Sequence, residues 1–245
     1  MGFPMKRTGF AQPLLAESAT AKEMLGTLRI TRDGRKFRYA KASTSALSAG
    51  KANIVAAFAA EVMNEACANA HAIGDQIIEE TITAGVAHAE NKFRGGYFAI
   101  NDATGEGHQY LITSSSAVTA AGTAIFLGLA DPIRVALEAA TSEFTIVPNP
   151  QWGVAESAVE ENMMAGVAPI AVTANYYFWN QTGGPATVLV TGTPAVGTVM
   201  TLGGTAGAMA GIQTPLDVDI AQSYGVLFGT VAVSGEYKQV FLTID

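Results

Sequence analysis

The chain has 245 residues, 49% of them hydrophobic and only 14% charged, with a net charge of −7 from 14 Lys and Arg against 21 Asp and Glu. That length fits one large domain or two small ones, and the apolar content excludes a disordered chain. The single cysteine, Cys67, excludes an intrachain disulfide framework and a Cys-rich zinc site. No apolar run reaches the ~18 residues of a membrane-spanning helix, so no membrane partner is expected. Met1 to Phe10 lacks the apolar stretch of a secretion signal, and Lys6 stands where myristoylation needs Ser or Thr. The expected setting is therefore a reducing cytoplasm.

Charge is unevenly placed. Residues 1–51 hold ten cations and three anions, whereas the other 194 residues hold four cations and 18 anions. Such a split marks the first segment as a different kind of object from the body. The only aromatics near the cluster are Phe37 and Tyr39, without a nucleic-acid-binding signature, so nucleic acid is not an expected partner. The segment can be an ordinary exposed basic hairpin or fold back on the chain's own acidic body; the expected target of Arg29, Arg32, Arg35, Lys36, Arg38 and Lys41 is the capsid or a neighbouring copy.

In chain order, residues 1–24 read as an extended tail, broken by Pro4 and Pro13. Leu28 to Tyr39 reads as a hairpin, because Leu28, Ile30, Phe37 and Tyr39 alternate with polar residues around Asp33-Gly34. Ile54 to Phe58 reads as a short strand, followed by a loop or one helical turn. Strands are predicted at Ile77–Ile82, Gly96–Asn101, Tyr110–Ser114, Ala124–Leu129 and Phe144–Val147. Further strands follow at Ala171–Trp179, Ala186–Val190, Val199–Leu202, Gly225–Ala232 and Tyr237–Ile244. A single helical turn fits Asp131 to Arg134, since Pro is allowed at the first helical position. Short strands separated by Gly, Pro, Asn and Asp turns argue an all-β chain of two small barrels or sandwiches with an extended N-terminal arm. The acidic stretch from Glu156 to Glu161 marks a boundary, giving residues 1–44 as arm and hairpin, 45–160 as one β domain and 161–245 as a second, barrel-like one.

Candidate chemistry is sparse. Asp102, Glu106 and His108 offer two carboxylates and an imidazole within seven residues, but a Gly- and Asp-rich hairpin turn has the same composition without a metal. No metal or other cofactor is expected. His71, His88 and His108 lack the Gly-x-Ser-x-Gly turn of a serine hydrolase, and Cys67 reads as a small buried side chain. Gly203 to Gly207 matches a phosphate loop only in glycine content. Glu79-Glu80 and Glu160-Glu161 are adjacent pairs that would point to opposite faces of a strand. Tyr176, Tyr177 and Trp179 form an aromatic run suited to core packing, to a partner or to stacking on a glycan. No catalytic residue is expected.

Four runs carry a family resemblance: Thr31 to Ala40, Asn101 to Tyr110, Asp131 to Leu137 and Pro169 to Trp179, joined by the ending Ser234 to Asp245. Together they resemble tailed-bacteriophage virion proteins of the capsid decoration, or cement, type, from about residue 24 to the end. Gly192 to Gly197 and Gly203 to Gly207 are similar to the small β-barrel of other capsid cement proteins. The resemblance implies β domains, homotrimers or similar clusters on the capsid exterior, contacts with the major capsid protein, synthesis in the host cytoplasm and no enzyme activity. Other readings from the residues are a head-fibre or tail-associated protein that binds receptor or glycan, and a hydrolase built on Asp102, Glu106 and His108.

Overall fold

The computed structural model describes residues 9–57, 60–212 and 222–245. The chain is all-β, with no α-helix among the described residues. The expected arm before Gly9, and Phe58 at the end of one expected strand, lie outside the described residues. The chain packs as two compact units, Met1–Ala56 with Pro150–Asp245, and Ala57–Asn149.

The first unit holds strands β1 (Leu28–Ile30), β2 (Lys36–Ala42) and β3 (Ala52–Ile54) before the second unit is entered. The second holds β4 (Glu65–Ala66), β5 (Ile77–Thr81), β6 (Tyr97–Asp102), β7 (Gln109–Ser115), β8 (Ala124–Leu129) and β9 (Glu143–Val147). The chain then returns to the first unit with β10 (Trp152–Val154), β11 (Met164–Val167), β12 (Tyr177–Thr191), β13 (Val199–Leu202), β14 (Met209–Gly211), β15 (Gly225–Leu227) and β16 (Glu236–Thr243). The second unit is thus an insertion. β10 pairs parallel with β2, and β11 pairs antiparallel with β3, so segments on either side of the insertion share one sheet. The expected cut after residue 160 falls inside the first unit, and the expected hairpin, β1 and β2, is part of its sheet. Strand pairing over more than a hundred residues leaves no mark in local composition, which is why a linear division was the natural reading.

β12 organises the first unit. Its first half pairs with β2, from Tyr177↔Lys41 to Gly183↔Lys36, and its second half with β16, from Gly183↔Thr243 to Val190↔Glu236. The expected strands Ala171–Trp179 and Ala186–Val190 are thus replaced by one strand that runs through Gly183-Gly184-Pro185. There the strand exchanges partners, with a register shift between Gln181 and Gly183 and Gly184 at φ 79°, a conformation glycine adopts without strain. From this exchange β12, β14, β13, β15 and β16 close a five-stranded barrel, β16 returning to pair with β12. Its interior follows the two-residue period of the strands: Val188 and Val190, Met200 and Leu202, Leu227, Val240 and Leu242 all point inward. Gly225 lets β15 come close to β16, since a Cβ there would lie 2.5 Å from the Phe241 carbonyl oxygen.

The second unit is a six-stranded, nearly closed sheet in the order β4-β9-β6-β7-β8-β5. Ile78, Phe98, Ile100, Tyr110, Ile112, Ile125, Leu127, Phe144 and Ile146 alternate inward to make its core. The helical turn expected at Asp131 to Arg134 does not form. Its backbone donors leave the segment: Ile133 N–H donates to the Asp75 carbonyl and Arg134 N–H to the Tyr110 hydroxyl. The one helical turn expected after Ile54 is a 3-10 turn at Ala60–Val62. β10, β11 and β14 have three or four residues each, and all four residues of β11 are buried, so no alternation announced them.

Candidate functional site

The basic hairpin and the aromatic run meet in one place. β2 and the start of β12 lie side by side, with Tyr39 directly opposite Trp179. Phe37, Tyr39 and Trp179 project from one face of the sheet and are fully buried, with Phe10, Leu14, Leu25 and Tyr177 packed against them. The segment before β1 is therefore not a free tail from Gly9 onward, although it has no regular structure beyond a bridge between Ser18 and Tyr177. Gln12, 2% exposed, is its anchor. Its Oε1 accepts from the Tyr39 hydroxyl at 2.5 Å, its carbonyl from Trp179 Nε1 at 3.1 Å, and its Nε2 donates to the Tyr177 carbonyl at 3.0 Å. The Phe10 ring meets Trp179 edge-on at 5.0 Å. Burial pushes the Tyr39 and Tyr177 hydroxyls above the ordinary tyrosine range.

Most of the six basic side chains expected to face a neighbour have partners inside this unit. The Arg29 guanidinium lies 4.9 Å from the Phe10 ring centroid and 5.3 Å from that of Trp179, and donates to the Gln12 carbonyl. Arg35 pairs with Asp33 at 2.8 Å across the hairpin tip. Arg38 forms a two-pronged bridge to Asp245, with Nε and Nη2 each 2.8 Å from a carboxylate oxygen, and Lys36 Nζ donates to the Asp245 main-chain oxygen. The Arg38 hydrogen bond holds the Asp245 carboxyl below the usual range. Lys41 Nζ sits 4.3 Å from the Trp152 centroid, and burial lowers its pKa. Arg32 is exposed. The positive segment thus neutralises and clamps its own unit through Arg29, Lys36 and Arg38.

Trp179 corrects the reading of the aromatic run as a glycan platform. Fully buried under Phe10 and beside Tyr39, it has no ring face left to stack on a sugar. Tyr177 stacks on Tyr39 at 6.0 Å and Tyr176 packs on the opposite core.

In the second unit, Asp102, Glu106 and His108 occupy a hairpin turn. Asp102 Oδ1 accepts from the Ala103 N–H, and His108 Nδ1 lies 3.0 Å from the Gly105 carbonyl. Among the described residues no three His, Cys, Asp or Glu side chains gather to hold a metal ion. A different trio meets in the core. Glu80 is fully buried, with Oε1 2.7 Å from His71 Nε2, and Oε2 accepts from the Ala68 N–H at 2.7 Å. Cys67, also buried, lies beside it. Burial, and then the Glu80 carboxylate, push its thiol up to about 12, so it is a poor nucleophile. The cluster bridges the open side of the sheet: Glu80 is on β5, Cys67 and Ala68 follow β4, and Thr83 Oγ1 donates to Glu65 of β4 at 2.8 Å. Alternation along Ile77–Thr81 was the available sign, because it turns Glu80 inward while Glu79 faces out.

A groove of about 600 Å³ lies in the first unit, lined by Leu15, Arg35, Gly50, Pro185, Thr187, Tyr237 and Gln239 among others. It is open and mixed in character, with Gln239 Nε2 donating to Thr187 Oγ1 on its wall. No protein-family model, curated protein or solved structure matches the chain.

Proposed function

We propose that the chain is a non-catalytic virion structural protein of the decoration type, made in the host cytoplasm, which sits on the capsid exterior and stabilises contacts between major capsid protein subunits. One observation carries the reading beside the sequence resemblance: the resembling runs are framework. Thr31 to Ala40 is the hairpin tip and most of β2, Asn101 to Tyr110 is the β6–β7 turn, Asp131 to Leu137 lies in the connection from β8 to β9, Pro169 to Trp179 leads into β12, and the ending is β16. Runs that build strands, turns and connections rather than a cluster of reactive side chains suit a structural role.

Attachment to the coat uses the open edge of β1 and the hairpin tip. β1 stands at one end of its sheet, Leu28 and Ile30 are exposed there at 39% and 43%, and exposed Arg32 follows, with no ring or carboxylate among the described residues against it. Exposed apolar side chains beside a cation on an unpaired edge suit docking of an acidic, extended segment of the coat. The reading of the chain as a fibre- or tail-associated glycan binder has lost its stacking surface at Trp179.

Quantitative mass spectrometry of purified virions carrying this chain tests the proposal. About one copy per coat subunit is the expected result. A few dozen copies or fewer per virion would place it in a fibre, tail or portal, and its absence from virions would overturn the proposal.

A further inference from the structure

The groove in the first unit is lined by polar groups whose hydrogen-bonding capacity is only partly used. Gln181 lines it and is 4% exposed. Its Nε2 donates to the Pro185 carbonyl at 2.8 Å and to the Gly183 carbonyl at 3.3 Å. Exchanging the amide's oxygen and nitrogen would set oxygen against two carbonyl oxygens, so the orientation is fixed. Oε1 then has no donor among the described residues, and a nearly buried acceptor is costly to leave unmet. On the wall, Gln239 gives its Nε2 to Thr187 Oγ1 at 2.8 Å, which leaves a second amide oxygen and the Thr187 hydroxyl proton for a ligand. Tyr237, 47% exposed, stands beside them with its ring edge against Gly50, where a Cβ would lie 2.7 Å from Cε1. Gly50 is itself held on both sides, its N–H by the Ala168 carbonyl and its carbonyl by the Leu189 N–H. Arg35 is the only charged residue among the described residues that line the groove. Asp33 takes its Nε, and Nη1 and Nη2 have no acceptor among the described residues.

We propose that this groove binds an acidic sugar, with its carboxylate on Arg35 and its ring hydroxyls on Gln181 and Gln239. Each part of the ligand answers one part of the site. The guanidinium fork presents two parallel N–H donors that match a carboxylate. The two amide oxygens can only accept, so they call for O–H donors and turn away an anion without hydroxyls. Tyr237 offers an aromatic surface to the C–H side of the ring. A volume of about 600 Å³ falls within the ~300–1,000 Å³ of small-molecule sites, and the open side leaves room for further sugar units. An extended peptide is the poorer fit. The flanking strands β12 and β16 are paired with each other, so the groove offers no free sheet edge on which a peptide backbone could add. The residues are not those of the aromatic run around Trp179, and the inference does not depend on attachment to a capsid.

NMR titration of the isotope-labelled full chain with D-glucuronate tests it. The side-chain amides of Gln181 and Gln239 are expected to shift and saturate, with a dissociation constant on the order of 1 mM. D-Glucose, which lacks the charge, and acetate, which lacks the hydroxyls, should each bind at least about tenfold more weakly. Arg35→Ala should weaken glucuronate binding about tenfold or more, and Gln239→Ala several-fold. Both replace partly or fully exposed side chains, and preserved amide dispersion shows that each variant is folded. Arg32→Ala, an exposed cation of the same hairpin outside the lining, should change nothing. A hyaluronan tetrasaccharide, which carries glucuronate within a chain, separates two sources of the ligand. Tighter binding than the monosaccharide assigns the groove to a glycan, and equal or weaker binding to a free sugar unit. Glucuronate that shifts neither amide at up to about 50 mM, shifts retained in both Arg35→Ala and Gln239→Ala, or acetate binding as well as glucuronate would overturn the inference. Shifts at the same amides from polyglutamate but not from glucuronate would give the groove to an acidic peptide and overturn it as well.

Discussion

The two units curl their sheets into barrels by different means. In the first, β16 meets β12 through eight consecutive residue pairs, so main-chain hydrogen bonds complete the ring. In the second, β4 and β5 stand at opposite ends of the strand order, and side chains bridge the space between them: Glu80 to His71 and to the Ala68 N–H, Thr83 to Glu65, and Asn69 to the Glu79 carbonyl. Ladder closure depends on backbone that every residue supplies. Side-chain closure depends on one buried carboxylate, and burying a charge is costly unless each of its oxygens is met. The first design tolerates substitution at its seam, whereas the second concentrates its risk in Glu80.

Glu80→Ala should break the comparison open most widely. It leaves His71 and the Ala68 N–H without their acceptor in a buried site, for a loss near the top of the roughly 3–5 kcal/mol typical of a broken buried pair. In denaturant melts the second unit should unfold first, leaving the Trp179 fluorescence of the first unit unchanged through that step. Trp179→Ala is the matching test on the other side. It removes the largest fully buried side chain and the ring on which Phe10 and Arg29 rest, at about 3–4 kcal/mol. Limited proteolysis should then cut within residues 9–25, while the second unit keeps its melting midpoint.

Asp245→Asn sharpens the comparison at a smaller scale. The Arg38–Asp245 bridge is partly exposed, so its worth is about 1 kcal/mol after solvent screening. The folded carboxyl titrates below its unfolded value of roughly 3.9, so the bridge contributes fully above that value and is lost as pH falls through the lower folded one. Wild type and Asp245→Asn should therefore differ in urea midpoint at neutral pH and converge in the acid range below about pH 4.

The all-β class was legible because Gly, Asn and Asp turns punctuate short alternating runs, and Ala124–Leu129 and Val199–Leu202 have the predicted bounds. The hairpin around Asp33-Gly34 also forms where Leu28, Ile30, Phe37 and Tyr39 alternate. What escaped was long-range. Gly183-Gly184-Pro185 has the composition of a turn, yet β16 on one side and β2 on the other hold it within one strand. Gln12 and Glu80 look like surface residues until the tertiary fold brings Tyr39 and Trp179, or His71 and Ala68, against them. The basic cluster was visible as charge, but its targets were not, because Asp245 and Trp179 lie more than a hundred residues further along the chain.

Hydrogen exchange read by mass spectrometry on the wild-type chain compares the two closures within one molecule. β12 and β16 should hold their amides until the first unit opens globally, while β4 and β5 exchange well before β6 and β9 in the core of their own unit. Equal protection of β5 and β6, or early exchange along the β12–β16 seam, would contradict closure by ladder in one unit and by side chains in the other.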